Sequence, residues 1–339
     1  MQHNFNQLKK IVTNSKIMPV IKANAYGHGM LTVANSLQAA DGFAVAQLVE
    51  AIALREAGID KPLTVLQGFA NRLELGQMLE YRLRPAISQL WQLDLLESET
   101  GGTLLDVWLK INTGMARLGI QPAEFANCWR RLANINYLGQ AGVMMHFANA
   151  DEPSHVSNQQ QIAIFQQLCE KLTTQTSVSN SAAIISQLYP QQDWVRPGIM
   201  LYGSSPFPDQ TAHSLGLKAV MSLQAELIAV NQIKKGEQIG YGGSWVCPQD
   251  MPVGVVNVGY GDGYPRHAPS GTPVSVNHQM TQLIGRVSMD SVMVDLRSIN
   301  ASCGDPVELW GEQIAVDEVA SKAGTISYEL LCNAGRCLA

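Results

Sequence analysis

Lys22 is the first residue of the chain whose type and position suggest chemistry. It follows a short apolar run, Ile17 to Ile21, which predicts a buried strand, and it precedes Gly27 and Gly29. A lysine at the end of a buried strand lies at the rim of a core, where burial lowers the pKa of its side chain and favours a neutral amine. Such an amine can form a Schiff base with an aldehyde. A lysine that merely extends into solvent would show the same local pattern.

Two further cationic residues lie together in the segment KINTGMARLG (110–119). The segment leaves a predicted strand through a glycine turn and presents Arg117. A guanidinium can bind a carboxylate with two parallel hydrogen bonds, and a structural ion pair is the alternative. Lys110 would be a like-charge neighbour of Arg117 if both side chains were cationic.

Ser181 and Arg196 could contact a bound group. Ser181 opens a predicted helix, and the amino terminus of a helix can bind a phosphate or carry an ordinary N-cap. Arg196 stands in the apolar run WVRPGIMLYG (194–203), where a buried guanidinium needs a partner because an unpaired charge is costly to bury.

Two other segments contain residue types found in active sites. His146 is followed by Asp151, Glu152 and His155, which could bind zinc, but the chain has no H-E-x-x-H spacing, and a metal site is therefore disfavoured. Tyr260 lies in NVGYGDGYPR, whose glycines are not a dinucleotide fingerprint because no βαβ unit surrounds them. Taken alone, it would be an exposed turn tyrosine.

Alternating strands and helices are expected to position these residues. Eight repeats between residues 17 and 203 favour a closed (β/α)8 barrel of the TIM type, whose active sites lie at the carboxyl ends of the strands. The predicted strands are 17–22, 42–47, 63–68, 84–88, 105–111, 139–147, 176–180 and 194–203. The predicted helices are 30–39, 47–57, 71–80, 89–97, 122–132 and 157–172.

The chain changes character after about residue 212. Strands joined by Gly- and Pro-containing turns predict a mostly antiparallel β domain with a short helix at 316–323. We therefore predict a barrel domain over 1–212 and a C-terminal β domain over 213–339.

Composition excludes several classes of function. The chain has 339 residues, of which 46% are hydrophobic and 15% are charged, so it can bury a large core. Its net charge is −5, and no run of basic residues is longer than a pair, which disfavours nucleic acid and anionic membranes as partners. We expect a cytoplasmic location because the amino terminus is polar and no apolar run approaches the length of a membrane span. The six cysteines form no C-x-x-C pair and are expected to be reduced.

Six motifs in one order resemble those of the alanine racemases, which are fold-type III enzymes that carry pyridoxal 5′-phosphate (PLP). The resemblance covers nearly the whole chain. Three features depart from the family pattern. The strand that the family usually has before the helix near His3 is not in this sequence, the tail LLCNAGRCLA is atypical, and Asn112 stands where the family usually has Asp. The motifs are KANAYGHG (22–29), KINTGMARLG (110–119), HFANAD (146–151), GYGDGYPR (259–266), GRVSMD (285–290) and SYELLC (327–332).

The resemblance implies a role for each candidate residue. Lys22 would hold PLP and act as one catalytic base, and Tyr260 would be the second. Arg117 and the Met289 amide would bind the substrate carboxylate. Around these groups, Lys110, which is carbamylated in many racemases, would orient Arg117, His146 would bond the catalytic tyrosine, and Asp290 would line the entrance. The other cofactor-binding residues would be Tyr26, Ser181, Arg196, Gly198, Ile199 and Tyr328.

The family's activity is the interconversion of L-alanine and D-alanine through a PLP aldimine, which supplies D-alanine for peptidoglycan. Bases on opposite faces of Cα let a proton leave from one face and return on the other. The resemblance also implies a head-to-tail homodimer in which Tyr260 reaches the partner's site. A PLP carrier without catalysis is disfavoured because it would not need Tyr260, and a PLP decarboxylase because those relatives place an acid where this chain has Arg196.

Overall fold

The computed structural model describes residues 1–99 and 102–337, without the side chain of Cys337. The last two residues of the atypical tail, Leu338 and Ala339, lie outside the described residues.

Eight parallel strands form a sheet in the first part of the chain. They are β1 (Lys16–Ile17), β2 (Phe43–Val45), β3 (Leu63–Val65), β4 (Arg84–Ile87), β5 (Leu105–Lys110), β6 (Leu138–Met144), β7 (Gln175–Ser177) and β8 (Trp194–Val195). Their order is β1-β8-β7-β6-β5-β4-β3-β2. Beyond β1, Val20 forms a parallel bridge with Ala44 of β2, and this contact closes the sheet. The predicted TIM-type barrel is confirmed.

Helices follow most of the strands and cover the outside of the barrel. Every residue of β2, β3 and β4 is buried, as expected for parallel strands that are covered on both faces. The helices and helical turns of this part are α1 (Gln2–Ile11), α2 (Lys22–Tyr26), α3 (Met30–Ser36), α4 (Leu48–Glu56), α5 (Arg72–Glu80), α6 (Leu90–Ser98), α7 (Phe125–Ala133), α8 (Val156–Cys169) and α9 (Ser181–Ile185).

The second part of the chain is a separate antiparallel β structure, as predicted. Its strands are β9 (Leu223–Ile233), β10 (Gln238–Ile239), β11 (Trp245–Val246), β12 (Met251–Val256), β13 (Pro273–Val276), β14 (Gln279–Ile284), β15 (Val292–Asp295) and β16 (Pro306–Trp310). Six of them close into a barrel in the order β12-β15-β14-β13-β16-β9, and β10 and β11 form a hairpin. Two helices follow, α10 (Val316–Lys322) and α11 (Ser327–Cys337).

Several elements differ from the sequence prediction. The first strand ends at Ile17, and Lys22 begins a helical turn rather than ending the strand. The eighth strand ends at Val195, so Arg196 follows it, and Ile199–Tyr202 is a 3-10 helix. Strands β10, β11 and β14 and helix α11 were not predicted as regular elements. No helix of the described residues is long and apolar enough to cross a membrane.

Candidate active site

A cavity of about 520 Å³ opens at the carboxyl ends of the barrel strands. Ten of the residues selected from the sequence line it, although they come from distant parts of the chain. They are Lys22, Tyr26, Lys110, Arg117, His146, Ser181, Arg196, Gly198, Ile199 and Tyr328. The barrel therefore brings together the groups that the sequence motifs kept apart, and we call this space the Lys22 cavity.

The turn α2, which carries Lys22, is left-handed. The φ angles of Ala23, Asn24, Ala25 and Tyr26 lie between 52° and 54°. This conformation costs non-glycine residues on the order of 1–2 kcal/mol each, so surrounding bonds must hold the turn. The Asn24 side chain accepts the Met30 N–H at 2.8 Å.

A carboxylate from a neighbouring unit contacts the same turn. Glu50 accepts the Ala23 N–H at 2.6 Å. The backbone that follows Lys22 is therefore fixed by contacts from outside the turn as well as from within it.

Lys22 is partly buried and lies among charged groups of both signs. Burial lowers the pKa of its amine, and the Arg117 guanidinium lowers it further, whereas Glu50 and Cys332 act in the opposite direction. The pKa shift favours a neutral amine that can act as a nucleophile or a base.

Arg196 is buried and is held by neutral acceptors. Its guanidinium donates to the Ser177 hydroxyl and to the Met145 carbonyl, each at 2.6 Å, and to the Val178 carbonyl at 3.2 Å. The His146 Nδ1 lies 3.3 Å from the Arg196 Nη2. Burial lowers the pKa of Arg196 to about 10. The sequence predicted a partner for this cation, and the structure shows that none of its bonded partners is an acid.

Lys110, Arg117 and Arg196 place three basic groups in the lining of the cavity. Burial, followed by the charges of Arg196, Arg117 and Lys22, lowers the pKa of Lys110 to about 8. Burial and the neighbouring cations, Arg196 first, also hold the pKa of His146 well below its usual range. The cavity therefore suits an anionic ligand.

The lining of the cavity also includes the start of helix α9 and several hydroxyl groups. Asn180 caps α9 by accepting the Ala183 N–H at 3.0 Å, and Ser181 accepts the Gly198 N–H at 2.8 Å. A Cβ atom at Gly198 would lie 2.9 Å from the Tyr26 hydroxyl, so glycine leaves room there.

Tyr328 lies beside Tyr26. The Tyr26 and Tyr328 rings are 5.9 Å apart, and both phenols line the cavity. These donors, together with Ser181, could hold a phosphate.

Tyr260, Met289 and Asp290 are not brought into the Lys22 cavity. Tyr260 and Met289 are 40% and 54% exposed on the β domain, and Asp290 is also exposed. Tyr260 lines a second cavity of about 560 Å³ that also includes Arg266 and Arg336. Within this chain, the two predicted bases are therefore separated.

In the segment after His146, the side chain of His155 forms a hydrogen bond that stabilises the start of a helix. The His155 ring accepts the Ser157 N–H at 3.2 Å and caps α8. Among residues 1–99 and 102–337, no group of three or more His, Cys, Asp or Glu side chains could hold a metal ion. The five cysteines with described side chains are free.

Two polar residues that support the cavity were not selected from the sequence. Glu50 bonds to the Lys22 turn, and a capping-box pattern with Gln47 could have identified it. Gln161 is buried in α8, donates to the Thr113 hydroxyl at 3.0 Å and the His146 carbonyl at 2.9 Å, and accepts the Ala148 N–H at 2.9 Å. No local pattern distinguishes Gln161 from the other polar residues of its helix.

Comparisons with known proteins agree over both parts of the chain. Residues 1–206 match the family model described as alanine racemase, N-terminal domain, and residues 220–339 match alanine racemase, C-terminal domain. The chain is 44% identical to the alanine racemase of Pseudomonas entomophila, covering 99% of this chain and 94% of the relative. It is 46% identical to that of Nitrosococcus oceani, covering 98% and 94%.

A solved structure shows the same fold. The crystal structure of the biosynthetic alanine racemase from Pseudomonas aeruginosa superposes with a TM-score of 0.95 at 41% identity, covering 98% of this chain and 94% of that one.

Proposed function

The chain belongs to the alanine racemase family, and from that premise we propose that it interconverts L-alanine and D-alanine with PLP bound in the Lys22 cavity. The observation that carries the proposal is the convergence of three kinds of group in one cavity at the barrel mouth. These are a lysine with a lowered pKa, the basic side chains of Lys110, Arg117 and Arg196, and hydroxyl groups that could bind a phosphate. PLP, when bound, supplies electron withdrawal that acidifies the Cα proton of the amino acid.

The residues of the cavity fit this cofactor. Lys22 would hold its aldehyde, and the hydroxyls of Ser181, Tyr26 and Tyr328 with the backbone at Gly198 and Ile199 would hold its phosphate. The Arg196 guanidinium would face the pyridine nitrogen. A cation there keeps that nitrogen largely unprotonated, which weakens the electron sink and favours simple proton exchange over other PLP reactions.

Two residues would move the proton. Lys22 Nζ serves one face of the substrate Cα and Tyr260 Oη serves the other, so that removal on one face and return on the opposite face invert the centre. The lowered pKa of Lys22 supports its role as a base.

Other residues would orient the substrate. Arg117 and the Met289 amide would bind its carboxylate, and Asp290 would line the entrance to the site. His146 would bond the catalytic tyrosine, and the Arg196 guanidinium, which lies 3.3 Å from the His146 Nδ1, would supply positive character there.

We include carbamylation of Lys110 in the proposal. A free amine at this position has three cationic neighbours that disfavour its protonated form. A carbamate would replace a cation by an anion, which could accept hydrogen bonds from Arg117 and orient it toward the substrate.

A head-to-tail homodimer is also part of the proposal. Tyr260 and Met289 are exposed on their own subunit, and neither lines the Lys22 cavity. A second copy would complete each site by placing its Tyr260 over the barrel mouth.

The domain division and the biological setting follow the sequence analysis. We propose a barrel domain over 1–212, a β domain over 213–339, a cytoplasmic location, and a supply of D-alanine for peptidoglycan.

Chiral analysis of the product tests the function directly. The purified protein with PLP should absorb near 420 nm and convert L-alanine into a mixture of both enantiomers. Lys22→Ala should abolish both signals because the aldehyde has no amine partner. A wild-type protein that binds PLP but yields no D-alanine would contradict the proposal.

A further inference from the structure

One carboxylate joins two consecutive barrel loops beside Lys22. Glu50, at the start of α4, accepts the Ala46 N–H at 2.9 Å and the Gln47 N–H at 3.0 Å, which belong to its own loop. It also accepts the Ala23 N–H at 2.6 Å, from the preceding loop. The same side chain therefore caps its helix and holds the amide directly after Lys22.

The Ala23 amide is the group through which Glu50 anchors the turn. Ala23 is the first of four left-handed residues, and a carboxylate is a strong acceptor for a backbone N–H. Without that bond the turn would retain its strain and lose an external anchor. The direction of the Lys22 side chain therefore depends on the bond between Glu50 and the Ala23 amide.

The next βα unit shows what capping alone requires. Glu74, near the start of α5, accepts the Ala70 N–H of its own loop at 2.8 Å, and Asn71 accepts the Glu74 N–H at 3.0 Å. Glu74 thus has a similar local role without a bond to the Lys22 turn. The contact with Ala23 is additional to helix capping.

Glu50 also sets the charge around the Lys22 amine. The groups that act on this amine are the cation of Arg117, the thiol of Cys332 and the carboxylate of Glu50, and Lys22 in turn acts on Lys110 and His146. Among these groups, Glu50 is the carboxylate. It opposes the neighbouring cations and limits the loss of basicity at Lys22.

We propose that Glu50 is a positioning residue for Lys22, which anchors the left-handed turn through the Ala23 amide and places one negative charge beside the amine. The anchor is independent of the reaction, whereas its catalytic meaning rests on the proposed role of Lys22 as a base.

Three variants separate anchor, charge and capping. Glu50→Gln removes the charge and one of the two carboxylate acceptors, Glu50→Asp keeps the charge but shortens the reach to Ala23, and Glu74→Gln is the matched capping control. In cofactor-free protein, hydrogen exchange reports the Ala23 amide, and an NMR titration of the Lys22 side chain reports its pKa.

We expect Glu50→Gln to speed exchange at Ala23 about tenfold or more, because the single amide oxygen of glutamine cannot accept from Ala23 as well as from Ala46 and Gln47. The Lys22 titration should move to lower pH by about half a unit or more, because the ammonium loses its nearby anion. Glu50→Asp should show the faster exchange with a Lys22 titration close to wild type. Glu74→Gln should change neither.

In the PLP-loaded protein, kcat for both Glu50 variants should fall more than KM changes, because the fault lies in the base rather than in substrate binding. The proposal is overturned if the Ala23 exchange or the Lys22 titration of Glu50→Gln matches that of Glu74→Gln. If wild-type protein does not racemise alanine, the proposed function fails, while the two cofactor-free measurements still decide the anchor.

Discussion

Lys110 shows how strongly one residue depends on the fold around it. Its side chain is 8% exposed, at the end of β5, with Arg196, Arg117 and Lys22 as charged neighbours. A protonated amine in such a place is disfavoured both by burial and by like charges. The residue therefore destabilises the folded cofactor-free protein unless it is neutral or modified.

Lys110→Met should stabilise the cofactor-free protein at pH 7. The folded pKa of Lys110 is about 8, below the ordinary lysine value of 10.5, so the unfolded chain binds more protons between these values. Wild-type stability should then rise with pH across this window, and the advantage of Lys110→Met should shrink from pH 8 to 10.5. Urea unfolding of both proteins in carbonate-free buffer measures the difference.

Bicarbonate provides the control for Lys110. Carbamylation would remove the cation, so bicarbonate at pH 8 should raise the stability of wild type and leave Lys110→Met unchanged. A stability difference that stays constant from pH 7 to 10.5 would contradict a buried titrating amine at this position.

Individual residues were predicted from the sequence by type and motif, but their partners were not. The buried arginine at 196 was expected to need a partner, and it has the Ser177 hydroxyl and backbone carbonyls. Those carbonyls come from neighbouring strands, and no local pattern encodes which strand ends meet. The contact of Glu50 with Ala23 was missed for the same reason, since it spans 27 residues.

At the scale of elements, helix α11 lies between the two turns that carry the proposed bases. A Cβ atom on Gly335 would overlap the backbone of Gly27, at the end of the Lys22 turn. On another face, a Cβ atom at Gly263, which follows the Tyr260 turn, would lie 2.6 Å from the Ala334 Cα. The helix therefore positions both turns, and its close contacts depend on small residues.

Gly335→Ala should destabilise the protein and lower kcat, because the added methyl group must push α11 away from Gly27. Overpacking of this kind costs about 1–3 kcal/mol. Gly76→Ala is the matched control, since Gly76 also lies in a helix but is exposed, and a Cβ atom added there would meet nothing within 4 Å. That change should stabilise by about 0.5–1 kcal/mol.

Urea unfolding and steady-state kinetics of the two glycine variants test the role of α11. Equal effects of Gly335→Ala and Gly76→Ala on stability and kcat would show that the contact with Gly27 does not constrain the helix.

The elements themselves were predicted correctly where the hydrophobic periodicity of the sequence was strong. The barrel strands β2 to β7 and their helices followed from apolar runs separated by amphipathic segments. The left-handed turn at Lys22 could not follow from propensity, because Ala23 and Ala25 favour right-handed helix and only the fold imposes positive φ. Strand β8 was overextended because Ile199–Tyr202 is apolar like a strand but buried as a 3-10 helix.

At the scale of the whole molecule, large apolar side chains remain exposed in both parts of the chain. Val49 and Trp91, which are 65% and 41% exposed, line a cavity beside the barrel mouth that shares Gln67 and Leu118 with the Lys22 cavity. On the β domain, Tyr241, Met289 and Tyr260 are each exposed. The proposed homodimer would cover such side chains and would bring the Tyr260 of one copy to the Lys22 cavity of the other.

The architecture was predictable from the pattern of the sequence, whereas the separation of the two proposed bases was implied only by the resemblance to a family. Period and composition indicate a barrel and a β domain, and the motifs select Lys22 and Tyr260. Which side of the β domain faces which barrel mouth depends on packing between remote parts of the chain. The structure places Tyr260 away from the Lys22 cavity, so a single subunit should be inactive on its own.

Mixed mutants test this arrangement. Lys22→Ala and Tyr260→Phe should each be inactive, but co-expression of the two chains should recover roughly a quarter of wild-type activity, because half of randomly formed dimers are hybrids with one intact site. Co-expression of Lys22→Ala with the double mutant Lys22→Ala/Tyr260→Phe is the control, since no pairing of those chains contains Lys22. Recovery in the first mixture alone would place Lys22 and Tyr260 of one site on different subunits. Absence of recovery, with hybrid dimers demonstrated by mass spectrometry, would mean that each chain must bring its own Tyr260 to Lys22 by a rearrangement of the β domain.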